Sequence, residues 1–285
     1  MLQPREQQIA VAFEDGSYPL NFLEWGDASN RNVLFCAHGF SRNSHDFDRV
    51  AESLHRDYRI ICPDYPGRGK SGWLRAEAYS YQTTVAASLA LLRHLEIDKV
   101  DWLGTSMGGV IGIMIGAQPE SPIQKLVLND VGPYFSKEAL RSVAEYTGND
   151  ERFKDLAQAE LHLRELYAAF GELPDAEWEH ITRHAVSLRD DGTFGLAYDP
   201  NIAAVAKQYI DVLQDVEIWP LFEAVACPVL VMRGAISQVL SAEVVEQMKL
   251  RGKRVKAVEI PGVGHAPALR VASELAILKA FLLSD

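Results

Sequence analysis

Two kinds of apolar pattern alternate along the first half of the chain. Short, nearly continuous apolar runs at residues 7–13 (QQIAVAF), 20–26 (LNFLEWG), 32–38 (NVLFCAH), 58–64 (YRIICPD), 100–106 (VDWLGTS) and 123–130 (IQKLVLND) predict six strands. Four of the six are compact apolar runs of the kind buried on both faces. Between them, residues 47–54, 81–95 and 107–118 have helical length and spacing. The alternation resumes with strand-like runs at 228–234 (PVLVMRG) and 254–262 (RVKAVEIPG), each followed by a helical stretch, 242–250 and 269–283. Helices between strands are what crossover connections in a parallel sheet produce. The predicted fold class is α/β, with an eight-stranded, mostly parallel sheet flanked by helices.

Residues 133–222 break this rhythm. They contain no comparable β-run, and 154–171 carries Leu156, Ala159, Leu163, Leu166 and Phe170 at helical spacing. We therefore read a core formed by 1–132 and 223–285, with an all-helical cap inserted after the sixth strand over 133–222. Charge separates the two parts as well. The insert holds 8 basic and 17 acidic side chains, a net −9, so the rest of the chain carries only −2 of the total −11.

That negative total repels nucleic-acid phosphates and anionic lipid headgroups, so neither nucleic acid nor a membrane is an expected partner. With 48% hydrophobic and 24% charged residues, the chain has the material for a large core, which excludes a disordered protein. No apolar run approaches the ~20 residues of a membrane span, and residues 1–16 lack the basic-then-apolar order of a secretory leader. A cytoplasmic address is expected. Cys36, Cys62 and Cys227 lie in or beside apolar runs and are odd in number, so we expect reduced, buried packing residues. Oligomeric state is not legible here.

The strongest chemical signal is Gly104-Thr105-Ser106-Met107-Gly108, a G-x-S-x-G placed where the fifth strand meets a helix. At such a turn the serine backbone is strained, its hydroxyl is presented above the sheet near a helix N-terminus, and the glycines let neighbouring elements approach. His38-Gly39-Phe40 follows the third strand. Acyl transfer needs preorganised donors for a developing oxyanion, and the backbone N–H groups of Phe40 and Met107 are the natural pair. Gly39 permits the turn, while the His38 side chain reads as structural. The loop Gly262-Val263-Gly264-His265-Ala266-Pro267 follows the last strand and supplies an imidazole free to reach Ser106.

Together HGF, PDYPGRGKS, GTSMGG, LVLNDVGP and PGVGHAP fall in an order that resembles the α/β-hydrolase superfamily along nearly the whole chain. The resemblance implies that Ser106 is a nucleophile, His265 a base and residues 133–222 a lid, with no cofactor and no metal. It also implies that the turn Asp64–Ser71 is structural. The chain departs from the family at the acid. Most members place an Asp after the seventh strand, but residues 233–240 read RGAISQVL, with Gln238 where relatives often have Asp. Three explanations compete: the acid comes from Asp130 at the end of the sixth strand, the triad is degenerate, or Gln238 is a substitution. Asp130 is the candidate, because ligand sites in α/β folds lie at the carboxyl edge of the sheet.

Ser rather than Asp at position 106 argues against chemistry through an alkyl-enzyme ester, and Ala266 weakens a carbon–carbon hydrolase reading. The expected function is a serine hydrolase acting on an ester, thioester, lactone or activated amide of a small, largely apolar acyl compound. The alternatives are a non-catalytic or weakly catalytic small-molecule-binding protein on a hydrolase scaffold, favoured by the missing acid after the seventh strand, and a carbon–carbon bond hydrolase.

Overall fold

The structure, a computed structural model, describes residues 3–14, 16–208 and 210–284. The eight expected strands are β1 (Arg5–Phe13), β2 (Gly16–Trp25), β3 (Val33–Ala37), β4 (Arg59–Pro63), β5 (Val100–Thr105), β6 (Ile123–Asn129), β7 (Val229–Gly234) and β8 (Val255–Ile260). They form one sheet in the order β1-β2-β4-β3-β5-β6-β7-β8. Only β2 runs against its neighbours, pairing antiparallel with both β1 and β4. All pairings from β4 to β8 are parallel.

The unbroken apolar runs have a direct cause. Phe35, Trp102 and Leu128 point into one buried cluster, while Leu34, Cys36, Leu103 and Val127 point into another on the opposite face. Helices α2 (Tyr81–His94), α3 (Met107–Gly116) and α9 (Ala242–Arg251) cover the first face; α1 (Asp48–Leu54) and α10 (Ala272–Leu282) cover the second. Phe35 stacks on Trp102 with centroids 4.5 Å apart, a contact of about 1 kcal/mol beyond its apolar burial. All three cysteines are free thiols; Cys36 and Cys62 are buried, but Cys227 is half-exposed because it sits in the turn before β7.

The segment 133–222 contains α4 (Lys137–Tyr146), α5 (Leu156–Leu166), α6 (Asp175–Ala185) and α7 (Ala204–Gln208), but it is not all-helical. Arg152–Phe153, Val186–Leu188 and Phe194–Leu196 form a small antiparallel sheet, and Tyr134–Phe135 pairs with Val216–Glu217. Strands of two or three residues are too short to leave a periodic trace in sequence. Helix α8 (Trp219–Ala224) crosses residue 222, and its Trp219 and Phe222 pack into the first core cluster. The segment has its own apolar cluster, built on Leu163, Trp178, Ile181 and Tyr198.

Polar contacts join it to the sheet layers. Glu177 of α6 accepts from Arg49 of α1 at 2.9 Å and from Arg270 at 2.8 Å. Asp48 of α1 accepts from His45 and from His180 of α6, both at 2.9 Å, and His184 stacks on His45 at 3.6 Å. These contacts tie α6 to α1 and to the residues just before it. Burial pushes the Asp48 carboxyl up, but the bonds from His180 and His45 outweigh it and hold it at about 2.

Burial, and then the nearness of His45 and His180, pulls His184 down to about 3 from an ordinary 6.5. A folded value below the unfolded one means the neutral ring stabilises the fold. That contribution is complete above pH 6.5 and is lost as pH falls from 6.5 toward 3. We expect the Tm to fall on acidification through this window, and to fall less steeply in His184→Gln. Parallel curves for the two proteins would show that His184 is not the group responsible.

Candidate active site

Ser106 is the single residue between β5 and α3. Its backbone lies at φ 50°, ψ −117°, a left-handed setting that a residue with a side chain adopts only under strain. The surroundings hold it there: Ser106 N–H donates to Asn129 O at 3.1 Å, and its own carbonyl accepts from Gly109 N–H at 2.9 Å. The flanking glycines are required by close approach. A Cβ on Gly104 would stand 2.3 Å from Gly108 O, and one on Gly108 would stand 2.0 Å from Ala37 O. No side chain fits either position.

His265 lies in the loop beyond β8. Its Nε2 is 3.0 Å from Ser106 Oγ, and its Nδ1 is 2.8 Å from Asp130 Oδ2. The loop is tied at several points: Gly264 N–H donates to Ala169 O at 2.7 Å, and Ile236 N–H donates to Val263 O at 3.0 Å. Asn129 adds a brace, its amide donating to Pro267 O at 2.9 Å and to Thr105 Oγ1 at 3.1 Å. The strand end next to Ser106 is thereby joined to the loop that carries His265.

Asp130 is fully buried and stands one residue beyond β6, with its N–H on Met232 O at 2.8 Å. Its Oδ1 accepts from Gly234 N–H at 2.8 Å, and its Oδ2 accepts from Ser237 Oγ at 2.5 Å besides facing His265. Hydrogen bonds to a carboxylate favour its charged form, which makes burial of the charge tolerable. The β7 loop therefore contributes a serine and a backbone N–H to Asp130. Gln238 is exposed and lines the pocket beside them.

Gly39 brings the end of β3 against the serine; a Cβ built on it would lie 3.8 Å from Ser106 Cβ. Met107 opens α3, and the first N–H groups of a helix have no intrahelical acceptor. His38 is fully buried. Tyr65 N–H donates to its Nε2 at 3.0 Å, so Nδ1 carries the ring proton and donates to Gly39 O at 2.7 Å. Burial pulls this imidazole down to about 4, and it stays neutral. Gly39 O and Phe40 N–H are opposite ends of one planar peptide, so the bond from His38 fixes the direction of the Phe40 N–H.

Gly39, Phe40, Ser106 and His265 line a cavity of about 420 Å³, within the range of small-ligand sites. Phe47, Val143, Tyr146, Leu166, Phe170 and Val239 give it apolar walls, drawn from the core and from segment 133–222. Its two cations are already engaged. Arg42 makes a forked pair with Asp46 at 2.5 and 3.0 Å under the Tyr167 ring, and Arg270 pairs with Glu177.

The structure thus brings Ser106, His265 and Asp130 into one hydrogen-bonded chain, with the Phe40 and Met107 segments on either side of the serine's turn. Sequence reasoning missed Ser237 and Asn129. Serine in a loop and asparagine at a strand end are too common to stand out, and only the long-range contact gives them meaning.

A model of the alpha/beta hydrolase family matches residues 33–276. The chain belongs to that family. It is 40% identical over 285 residues to a 3-hydroxybutyrate-oligomer hydrolase of Cupriavidus necator, covering 98% of this chain and 97% of the other. It is 25% identical over 260 residues to a 2-(acetamidomethylene)succinate hydrolase of Mesorhizobium japonicum, covering 90% and 88%. The crystal structure of an alpha/beta hydrolase from Novosphingobium aromaticivorans superposes with a TM-score of 0.88 at 31% identity, over 99% of each chain. For this alpha/beta hydrolase, family membership agrees with the eight-stranded, mostly parallel sheet flanked by helices. Among the described residues, no helix is long and apolar enough to cross a membrane.

Proposed function

We propose that this hydrolase is a serine esterase of small acyl compounds and that oligomers of 3-hydroxybutyrate are its substrates. The observation that carries the catalytic part is the chain from Ser106 Oγ through His265 to buried Asp130, open to an apolar cavity. Ser106 Oγ attacks the ester carbonyl while His265 Nε2 takes its proton. The Phe40 and Met107 N–H groups receive the oxyanion, and Asp130 holds the Nδ1–H tautomer and balances the imidazolium. His265 then protonates the leaving alcohol. Water, activated by the same ring, attacks the acyl-enzyme and frees the acid.

The substrate assignment draws on the full-length relative from Cupriavidus necator. An oligoester of this kind is uncharged between its ends, which suits a pocket whose arginines are already paired. Incubation with the purified dimer and trimer should release 3-hydroxybutyrate, measured by chromatography. Turnover of a nitrophenyl ester with no release from either oligomer would leave an esterase of other substrates. The reading as a non-catalytic binding protein draws on the missing carboxylate after β7; the contact of Asp130 Oδ2 with His265 Nδ1 at 2.8 Å supports the catalytic reading instead.

We assign segment 133–222 the role of a lid that sorts acyl compounds by size. Tyr146 of α4 lines the cavity. Tyr146→Ala should reduce kcat/KM for the trimer by about tenfold or more while changing nitrophenyl acetate hydrolysis less than about twofold, the range expected for lost pocket contacts. Equal losses on both esters would remove the lid assignment.

A further inference from the structure

The turn Asp64–Ser71 holds a feature that its shape alone does not require. Arg68 is only 3% exposed, and among the described residues no carboxylate forms an ion pair with it. Its Nε–H donates to Phe40 O at 2.8 Å, its Nη1 donates to Pro66 O at 2.7 Å, and its Nη2 reaches Met107 Sδ at 3.9 Å. The guanidinium carbon stands 5.1 Å from the Phe40 ring centre and 5.6 Å from that of Tyr79. Asp199 is the nearby carboxylate that acts on its charge. Asp199 is engaged elsewhere, its Oδ2 accepting from the Tyr79 hydroxyl at 2.5 Å.

Burying a cation without an ion-pair partner costs several kcal/mol, and a neutral side chain could occupy a structural turn without that cost. Burial does pull the guanidinium down, to about 10, which leaves it charged at neutral pH. Besides the Tyr79 ring, its side chain reaches across the fold to Phe40 O and Met107 Sδ, and these are the two residues whose N–H groups face the forming oxyanion in the proposed reaction. We propose that Arg68 is a positioning residue of the oxyanion hole: it fixes the Phe40 and Met107 segments against each other and places a positive charge behind the developing negative oxygen. The inference rests on the serine-hydrolase reading above.

A cation without an ion-pair partner in the resting enzyme interacts more strongly with a nearby charge that exists only during the reaction than with the neutral ester. It therefore lowers the barrier more than it tightens the ground state. His38 fixes the Gly39–Phe40 peptide from one side and Arg68 holds the next carbonyl from the other, so the Phe40 N–H is set by two buried groups. The same turn is joined to segment 133–222, with Gly69 N–H on Ala197 O at 2.8 Å and Asp199 N–H on Gly67 O at 2.7 Å.

The test compares Arg68→Met and Arg68→Lys with the parent enzyme, using nitrophenyl acetate turnover and inhibition by phenylboronic acid, whose adduct on the serine is a tetrahedral anion. Arg68→Met should lower kcat on the order of 10- to 100-fold, somewhat less than loss of a direct oxyanion donor, with KM within about twofold. Its boronate Ki should rise by the same factor, and Arg68→Lys, which keeps the charge but loses the fork, should fall between. A merely structural residue would not make boronate affinity track kcat. Unchanged kcat and Ki in Arg68→Met, or a loss confined to KM, overturns the proposal. If Arg68→Met does not fold, Arg68→Lys decides alone: a joint loss of kcat and boronate affinity supports it, and no loss in either overturns it. Ser106→Ala separates the two readings. Retained turnover there sinks the serine mechanism and this inference with it, whereas abolished turnover beside a fully active Arg68→Met sinks the Arg68 role alone.

Discussion

Ser106→Ala is expected to lower kcat for nitrophenyl acetate by on the order of 10⁶, the scale seen when a serine nucleophile is removed from a triad. Alanine deletes only the hydroxyl that sits 3.0 Å from His265 Nε2. The remaining backbone donors and pocket can still bind ester, so KM should change little. Because Ser106 is only part-buried and the change to alanine removes no apolar surface, the Tm should change little. Steady-state kinetics with a thermal melt checks both parts. Retention of more than about a hundredth of the parent kcat would assign the chemistry to another group.

Asp130→Asn should lower kcat by on the order of 10⁴ while preserving the fold. Asparagine can keep one oxygen for Gly234 N–H, and its amide can donate to Ser237 Oγ, so the buried site remains hydrogen-bonded. Facing His265, however, that amide donates where Asp130 accepted. The imidazole proton then moves to Nε2, the atom that must take the proton from Ser106, and no anion remains to balance the imidazolium. Gln238→Ala, by contrast, should change kcat less than about threefold, because its side chain lies at the exposed pocket wall. A silent Asp130→Asn, paired with a large gain in Gln238→Asp, would make Asp130 a turn residue and this triad incomplete.

The parallel sheet was legible because its strands are apolar on successive residues, a consequence of helices on both faces. The turn at Ser106 was legible because glycines at 104 and 108 are demanded by contacts that admit no Cβ. Segment 133–222 was read less fully. Its helices have a periodic face, but its strands are only two or three residues long, and some are held by pairing across more than thirty positions, as between Phe153 and Phe194. The acid is the instructive case. Sequence order leaves Asp130 and position 238 as rivals, and what separates them is distance: β6 and β7 are adjacent, so Asp130 reaches His265 while the β7 loop turns Ser237 and Gly234 N–H onto it. Arg68 was hidden for a different reason. An arginine in a polar turn looks solvated, and only its burial beside Phe40 and Met107 gives it a role.

In the proposed mechanism Ser106 is acylated during turnover. Treatment with a fluorophosphonate, followed by digestion and mass spectrometry of the labelled peptide, tests it most directly. One phosphonyl group per chain is expected, on Ser106, with labelling lost in Ser106→Ala and slowed in step with kcat in Asp130→Asn. A label on any other residue, or a fully active enzyme that resists the reagent, would contradict it.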